Sequence, residues 1–317
     1  MSRGFTSVFA DDLDEYLDFR ETVGFVNSPP HVWYLRRFDT YCVRHHATLF
    51  DQTTVEGWVR EELDHAGVWR SFLSFIRQFG RWMAARDPQA YVLSPAWKIP
   101  KILPNPYLLT NEQIDRFFDA AARLQAHSPW RWQAAGFFTL MHSCGLRTGE
   151  TRALRCSDVD LDGAEILIIG TKTRRDRRLP LTPDVVAVLR RCDTQSRAQF
   201  PNRSMFFVSA AGNQVAAVSP AAVFRQIWDL AGLPRPTGGK QPTPYAFRHH
   251  FAYANLERWM ADGTDATTML PYLSVYMGHG DVESTYYYIH TSPDFMNAYQ
   301  DTATQVSTMV LPEPGFE

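Results

Sequence analysis

Cysteine is scarce in this chain, and its placement is uninformative for metal binding. Cys42, Cys144, Cys156 and Cys192 lie far apart and form no Cys-x-x-Cys pair. Scattered reduced thiols are expected rather than a zinc site. The adjacent pairs His45-His46 and His249-His250 lack the i, i+4 spacing that sets two imidazoles on one helical face. Neither a metal nor a cofactor is therefore expected. No apolar run approaches the roughly 20 residues of a membrane span. Met1-Ser2-Arg3-Gly4 opens no secretory signal. A membrane is thus not an expected partner, and a soluble cytoplasmic protein is. Internal repeats and low-complexity segments are also missing.

An excess of positive charge is missing too, since the net charge is −2. Its distribution tells a different story. Residues 1–21 hold two basic and six acidic groups, and residues 281–317 hold six acidic groups with no Lys or Arg. The intervening residues 22–280 therefore carry a balance of +8. A basic body between acidic ends suits a surface that binds phosphate.

What is present is ample apolar content, 45% of 317 residues, enough for two compact domains. The first hundred residues read as helices. Asp11 or Asp12 can cap a helix carrying Leu13, Tyr16 and Leu17 that stops near Gly24. Trp69, Phe72, Phe75, Ile76, Phe79, Trp82 and Met83 form the clearest helical stripe, the buried face of a small bundle. Arg70, Arg77, Arg81 and Arg86 lie off that stripe and face either solvent or DNA. Four prolines between Leu93 and Pro106 mark an extended linker. Beyond it, Thr110 and Gln113 fit a capping box. The runs Glu165 to Ile169 and Arg178 to Leu181 are strand candidates joined by a basic turn. Thr182-Pro183, Ser219-Pro220 and Thr243-Pro244 each place a capping residue before a proline, announcing three more helices. The fold class expected is mainly α with a small antiparallel β-sheet.

Four stretches carry chemistry. Arg147 stands in Cys144-Gly145-Leu146-Arg147-Thr148-Gly149-Glu150, at the start of a short helix. Its planar fork can face a phosphate, or it can simply pair with Glu150 on the surface. Arg248 follows Tyr245 by one helical turn, so the two share a face near a helix N-terminus. Two arginines from distant segments can hold the two non-bridging oxygens of one phosphate. Lys172 lies in the basic turn with Arg174, Arg175, Arg177 and Arg178, which suits contact with a DNA backbone, a proton delivered to a leaving oxygen, or plain solvation. Tyr288 closes the set. A phenol with a pKa of about 10 is a nucleophile only where cations stabilise the phenolate and a base takes its proton. His279, nine residues earlier, is placed to bond the same phosphate. At least one of Tyr286, Tyr287 and Tyr288 must pack inward, because adjacent side chains diverge.

Together these segments resemble the tyrosine recombinases, or phage integrases, whose signature runs Arg, Lys, His-x-x-Arg, His or Trp, and Tyr. Arg147 with Glu150 matches the first box. Lys172 matches the hairpin lysine, Arg248-His249 the second arginine and the histidine after it, and Gly278-His279 with Tyr288-Ile289-His290 the last box. Where the family usually has the histidine of His-x-x-Arg, this chain has Tyr245. The resemblance implies a helical, SAM-like core-binding domain that binds DNA over residues 1–94, a linker over 95–107, and a mixed catalytic domain with a C-terminal tail over 108–317. It implies a site-specific DNA recombinase working through a 3′-phosphotyrosyl intermediate. It assigns catalysis to Arg147, Lys172, Tyr245, Arg248, His279 and Tyr288, with Glu150 and His249 in support. Partners would be double-stranded DNA bearing recombination sites, further copies in a homotetramer, and accessory or sister recombinases. The setting would be the nucleoid, in the service of a mobile element or of another recombination task. Type IB topoisomerases use the same groups to relax DNA, and a DNA-binding protein with a weakened active site is a third reading.

Overall fold

Four amphipathic helices build the first part of the chain in the computed structural model, which describes residues 3–27, 29–64, 71–99, 106–169, 176–237, 241–280 and 285. They are α1 (Ala10–Thr22), α2 (Pro29–Arg44), α3 (Gln52–Leu63) and α4 (Ser71–Ala84). The stripe on α4 is the core: Phe72, Phe75, Ile76, Phe79 and Met83 are buried, and Trp82 packs at its margin. Trp69 and Arg70 lie outside the described residues. Rings from the other helices close on α4, with Tyr16 4.9 Å from Phe79 and Tyr34 4.9 Å from Phe72. Truncating a ring such as Phe79 to alanine costs about 3–5 kcal/mol.

Two local expectations shift here. α1 is capped by no side chain, and Asp11 and Asp12 sit inside its first turn, where the helix dipole favours their charge. Arg77 is half-buried and turns back onto its own chain. It donates to the carbonyls of Leu93 (3.2 Å), Ser94 (2.9 Å) and Trp97 (2.5 Å), tying the chain that leaves the bundle to α4. Arg86 is exposed as expected, covering the Trp82 ring at 4.4 Å and pairing with Glu15.

The chain divides into two compact units, Met1–Leu103 and Pro104–Glu317. In the second, α5 (Asn111–Ala122) opens with the Thr110–Gln113 capping box, both hydrogen bonds being present at 3.2 Å. α6 (Trp130–Ser143) is the central helix and packs on α5, on α8 (Pro183–Gln199) and on α10 (Tyr245–Ala261). The core here is again aromatic: Phe117, Phe137, Phe138, Phe224 and Phe247 are fully buried. Phe117 and Phe247 meet edge-on at 5.0 Å.

Between α6 and α8 come the one-and-a-half-turn helix α7 (Thr148–Ala153) and an antiparallel sheet of order β1-β2-β3. Its strands are β1 (Val159–Asp160), β2 (Glu165–Ile168) and β3 (Arg177–Pro180). The register Ile166↔Leu179 puts both apolar side chains on the covered face. β1 is too short to announce itself by alternation. The segment carrying Lys172, Arg174 and Arg175 lies outside the described residues.

α9 (Ser219–Leu230) and α11 (Ala266–Met277) complete the unit. Of the three Ser/Thr-Pro starts, only Thr182 sits at the cap position as expected. Ser219 lies inside α9, and α10 begins two residues after Thr243, because Pro244 already has helical angles and occupies the cap. Among the described residues no helix is long and apolar enough to cross a membrane.

Candidate active site

α11 stops at Met277 because Gly278 turns the chain with φ 66°, a conformation that strains residues with a Cβ. Gly278 N donates to Val275 O and His279 N to Ser274 O, each at 2.9 Å, the paired bonds of a Schellman turn. That pattern leaves the carbonyls of Tyr276 and Met277 to partners from elsewhere. Three arginines take them. Arg177 Nε donates to Tyr276 O at 2.8 Å, Arg248 Nη2 to Met277 O at 2.8 Å, and Arg147 Nη1 approaches Met277 O at 3.5 Å. A helix C-terminus is the negative end of its dipole, so cations gather there favourably.

Arg248, 0% exposed, projects from the first turn of α10. Its Nη1 also donates to Gly145 O. Gly145 has φ 60°, and a Cβ there would stand 2.6 Å from the Phe251 ring, so this turn admits glycine on two counts. Two residues on, Arg147 occupies the N-cap of α7. Its backbone N–H donates to Glu150 Oε2 (3.0 Å) and its Nη1 to Glu150 Oε1 (2.9 Å). The pairing with Glu150 thus exists, but not on the surface. The Glu150 side chain is only 8% exposed, and Arg177 grips its carboxylate as well, Nη1 to Oε1 at 3.2 Å and Nη2 to Oε2 at 2.8 Å. Burial pushes the Glu150 carboxyl up, but the Arg177 fork and the Arg147 N–H outweigh it and hold it below the usual carboxylate range.

His279 is buried beside this cluster, its Nδ1 2.6 Å from the hydroxyl of the fully buried Thr285. That contact fixes the ring plane. Behind the site, the Tyr276 ring stacks on Phe251 at 5.5 Å, and burial raises its phenol, with Cys144 adding to the effect. Burial likewise pushes the Cys144 thiol up to about 12. Neither is a nucleophile near neutral pH.

The structure therefore brings Arg147, Glu150, Arg248 and His279 to one helix end. Three guanidinium groups against one carboxylate leave a surplus of positive charge, which suits a phosphodiester anion. Tyr245 does not share the surroundings of Arg248. It is 40% exposed, and its ring meets that of the buried His249 edge-on at 4.7 Å, one turn further along α10. Tyr288 lies outside the described residues.

Arg177 corrects the reading of the basic turn. Expected against a DNA backbone, its side chain is instead 8% exposed, with all three nitrogens bonded inside the protein. Alternation along β3 sends its neighbour Arg178 outward, 66% exposed and paired with Glu165 at 2.5 Å. Thr285 and the Tyr276 and Met277 carbonyls were not foreseeable as catalytic residue types. The glycine before His279 is nonetheless a legible sign of a helix end, and so of carbonyls seeking donors.

Residues 108–294 match the sequence model of the phage integrase family. The putative integrase/recombinase y4rE of Sinorhizobium fredii is 29% identical over 300 residues, which span 92% of this chain and 94% of that protein. In fold the chain is similar to the XerH site-specific recombinase bound to its difH substrate in a pre-cleavage complex. There the TM-score is 0.64 at 17% identity, over 93% of this chain and 84% of that one. It is similar also to lambda integrase in a tetramer bound to a Holliday junction, with a TM-score of 0.60 at 13% identity, over 90% and 78% of the two chains.

Proposed function

Because the chain belongs to the phage integrase family and is a tyrosine-type site-specific DNA recombinase, we propose that Arg147, Arg248 and His279 clamp one scissile phosphate and that Tyr288 attacks it. The phenol oxygen of Tyr288 forms a bond to phosphorus while the bond from phosphorus to the 5′ oxygen breaks. The departing oxygen keeps the electron pair and takes a proton from Lys172. The phenol proton passes to His249 or His279. In the reverse sense, the 5′ hydroxyl of a partner strand attacks the 3′-phosphotyrosine and releases Tyr288. One phosphoester replaces another at each step, so no nucleotide need be hydrolysed.

The observation that carries this reading is the meeting of Arg147 Nη1 and Arg248 Nη2 on a single carbonyl, Met277 O, with His279 two residues further on. Donors held in this way need no reorganisation when charge develops on the phosphate, and each is worth roughly 10²–10³ in rate. Tyr245 donates a hydrogen bond but is a poor proton acceptor near neutral pH, so cleavage runs slower than with an imidazole in its place.

Exchange between strands calls for two DNA duplexes and several active sites. A homotetramer on paired double-stranded sites, with accessory or sister recombinases where the task needs them, fits this chemistry. The fold shared with a lambda integrase tetramer supports it. Residues 1–94 would supply further DNA contacts, on nucleoid DNA in the cytoplasm, for a mobile element.

Suicide DNA substrates built on candidate sites from the DNA flanking the gene test the reading. The wild-type protein should give a denaturant-resistant protein–DNA adduct, and Tyr288→Phe should bind the same DNA without one. Adducts that survive in Tyr288→Phe would move the nucleophile elsewhere. Relaxation of plasmids with no preference of site would point to a topoisomerase, and tight binding without any adduct to a binding protein.

A further inference from the structure

We propose that Arg177 is a positioning residue for strand cleavage, acting on Arg147 through Glu150 and on His279 through the end of α11; this rests on the clamp proposed above. Its three nitrogens tie together three elements. Nη1 and Nη2 hold both oxygens of Glu150 on α7, and Nε holds Tyr276 O on α11, while the side chain itself springs from β3. α7 presents Arg147 at its N-cap, and α11 ends in the turn that presents His279. Gly278 makes room for the fork: a Cβ there would stand 2.6 Å from Arg177 Nη1 and 2.8 Å from Cζ. The glycine thus serves both the turn and the arginine lying against it.

Electrostatics gives the arrangement its purpose. Arg147 is 29% exposed and bonded to the Glu150 carboxylate. Were Arg147 that carboxylate's sole cation, the pair would be a closed ion pair with little charge left for a phosphate. Arg177 divides the negative charge between two cations. Arg147 is then oriented by Glu150 without being neutralised by it. A planar fork is needed for this, because a lysine is a point charge that cannot reach two carboxylate oxygens and a carbonyl together. The same side chain also anchors the strand that follows the segment carrying Lys172.

Single-turnover cleavage of a suicide substrate decides the matter, run on wild type, Arg177→Lys, Arg177→Ala and the exposed control Arg178→Ala. Arg177→Lys should cleave roughly 10- to 100-fold more slowly, as when the outer partner of a catalytic ligand is lost. Its DNA affinity should stay within about twofold. Arg178→Ala should do the opposite, weakening binding in a salt-dependent way. A substrate with a neutral methylphosphonate at the scissile position supplies the readout that a structural defect would not move. If Arg177 acts by sharing the Glu150 charge and so leaving Arg147 free to meet a phosphate, the gap between wild type and Arg177→Lys narrows on that substrate to a few-fold. Wild-type cleavage by Arg177→Lys and Arg177→Ala would overturn the proposal, as would an equal loss on both substrates. Should the single variants melt, Glu150→Gln/Arg177→Met removes the buried charges together. It should fold and still cleave slowly, and wild-type cleavage there would sink the idea. A wild-type protein giving no adduct refutes the clamp itself, which these comparisons between variants do not mimic.

Discussion

Arg20 in the first unit and Arg248 in the second are both buried, yet they are held in opposite ways. The Arg20 guanidinium carbon lies 5.7, 5.2 and 5.4 Å from the ring centroids of Tyr16, Phe25 and Phe75. It donates to the amide oxygens of Asn27 (3.0 Å) and Gln78 (3.3 Å), and it touches His31 Nδ1 at 3.4 Å. Aromatic faces and neutral amides from its own bundle satisfy it. Arg248 is held by the carbonyls of two chain turns and shares one of them with a second arginine. Gathering like charges in a buried place is costly unless an anion joins them. The same residue type therefore stabilises one unit and prepares the other for a phosphate.

The sharpest way to break this contrast is to exchange the fork of Arg248 for a point charge. Arg248→Lys keeps the charge but cannot hold Gly145 O, Met277 O and a phosphate oxygen in one plane. Cleavage of a suicide substrate should fall roughly 10²–10³-fold while gel-shift affinity changes little. The matched change Arg20→Met should leave the cleavage rate within about twofold, since the rings and amides that hold Arg20 all belong to its own unit. Equal effects of the two changes on cleavage would erase the distinction.

A smaller gain is expected at the position where the chain departs from its family. Tyr245 stands exposed against His249, so an imidazole there has room and a neighbour to orient it. Tyr245→His should raise the single-turnover rate, by about tenfold if proton acceptance limits cleavage. It should also move the pH profile toward an imidazole titration. A rate that falls instead would make the phenol itself a needed donor.

The contrast also shows which parts of the molecule were legible in the sequence. The Thr110–Gln113 box was, because its partners lie within one helical turn, and so was the stripe on α4, because its period is set within the helix itself. The order of Arg147, Arg248 and His279 was legible through family resemblance, and their gathering at the end of α11 gives that order its geometry. Arg177 was not. Its carboxylate partner is 27 residues away and its carbonyl partner 99, and nothing local separates it from the exposed Arg178 beside it. Arg77 escaped for a like reason, being bonded to backbone 16 to 20 residues downstream. Charge on a helix or turn is visible in a sequence, but the carbonyl it will meet is not. Lys172, Arg174, Arg175 and Tyr288 lie outside the described residues, so their reading still rests on resemblance and chemistry.

The finest test of the contrast lies in a histidine. His31 stacks on Phe75 at 4.5 Å and touches Arg20. Burial lowers its pKa below the usual histidine value, and the positive charge of Arg20 lowers it further. A histidine whose folded pKa is depressed binds fewer protons when folded than when unfolded. Its contribution to stability is therefore whole above the ordinary value near 6.5 and is lost as pH falls below it. Removing the charge with Arg20→Met should raise the His31 pKa part of the way back, burial remaining, as read from its ring proton shifts. The same variant should lose about 1–3 kcal/mol of stability at neutral pH, from the aromatic and amide contacts given up. It should also lose less than wild type on going from pH 7 to pH 5, because one source of acid sensitivity is gone. An unmoved His31 titration would mean that the guanidinium is screened from its neighbour. Arg20 would then be less like a packed structural cation, and more like Arg248, than its surroundings imply.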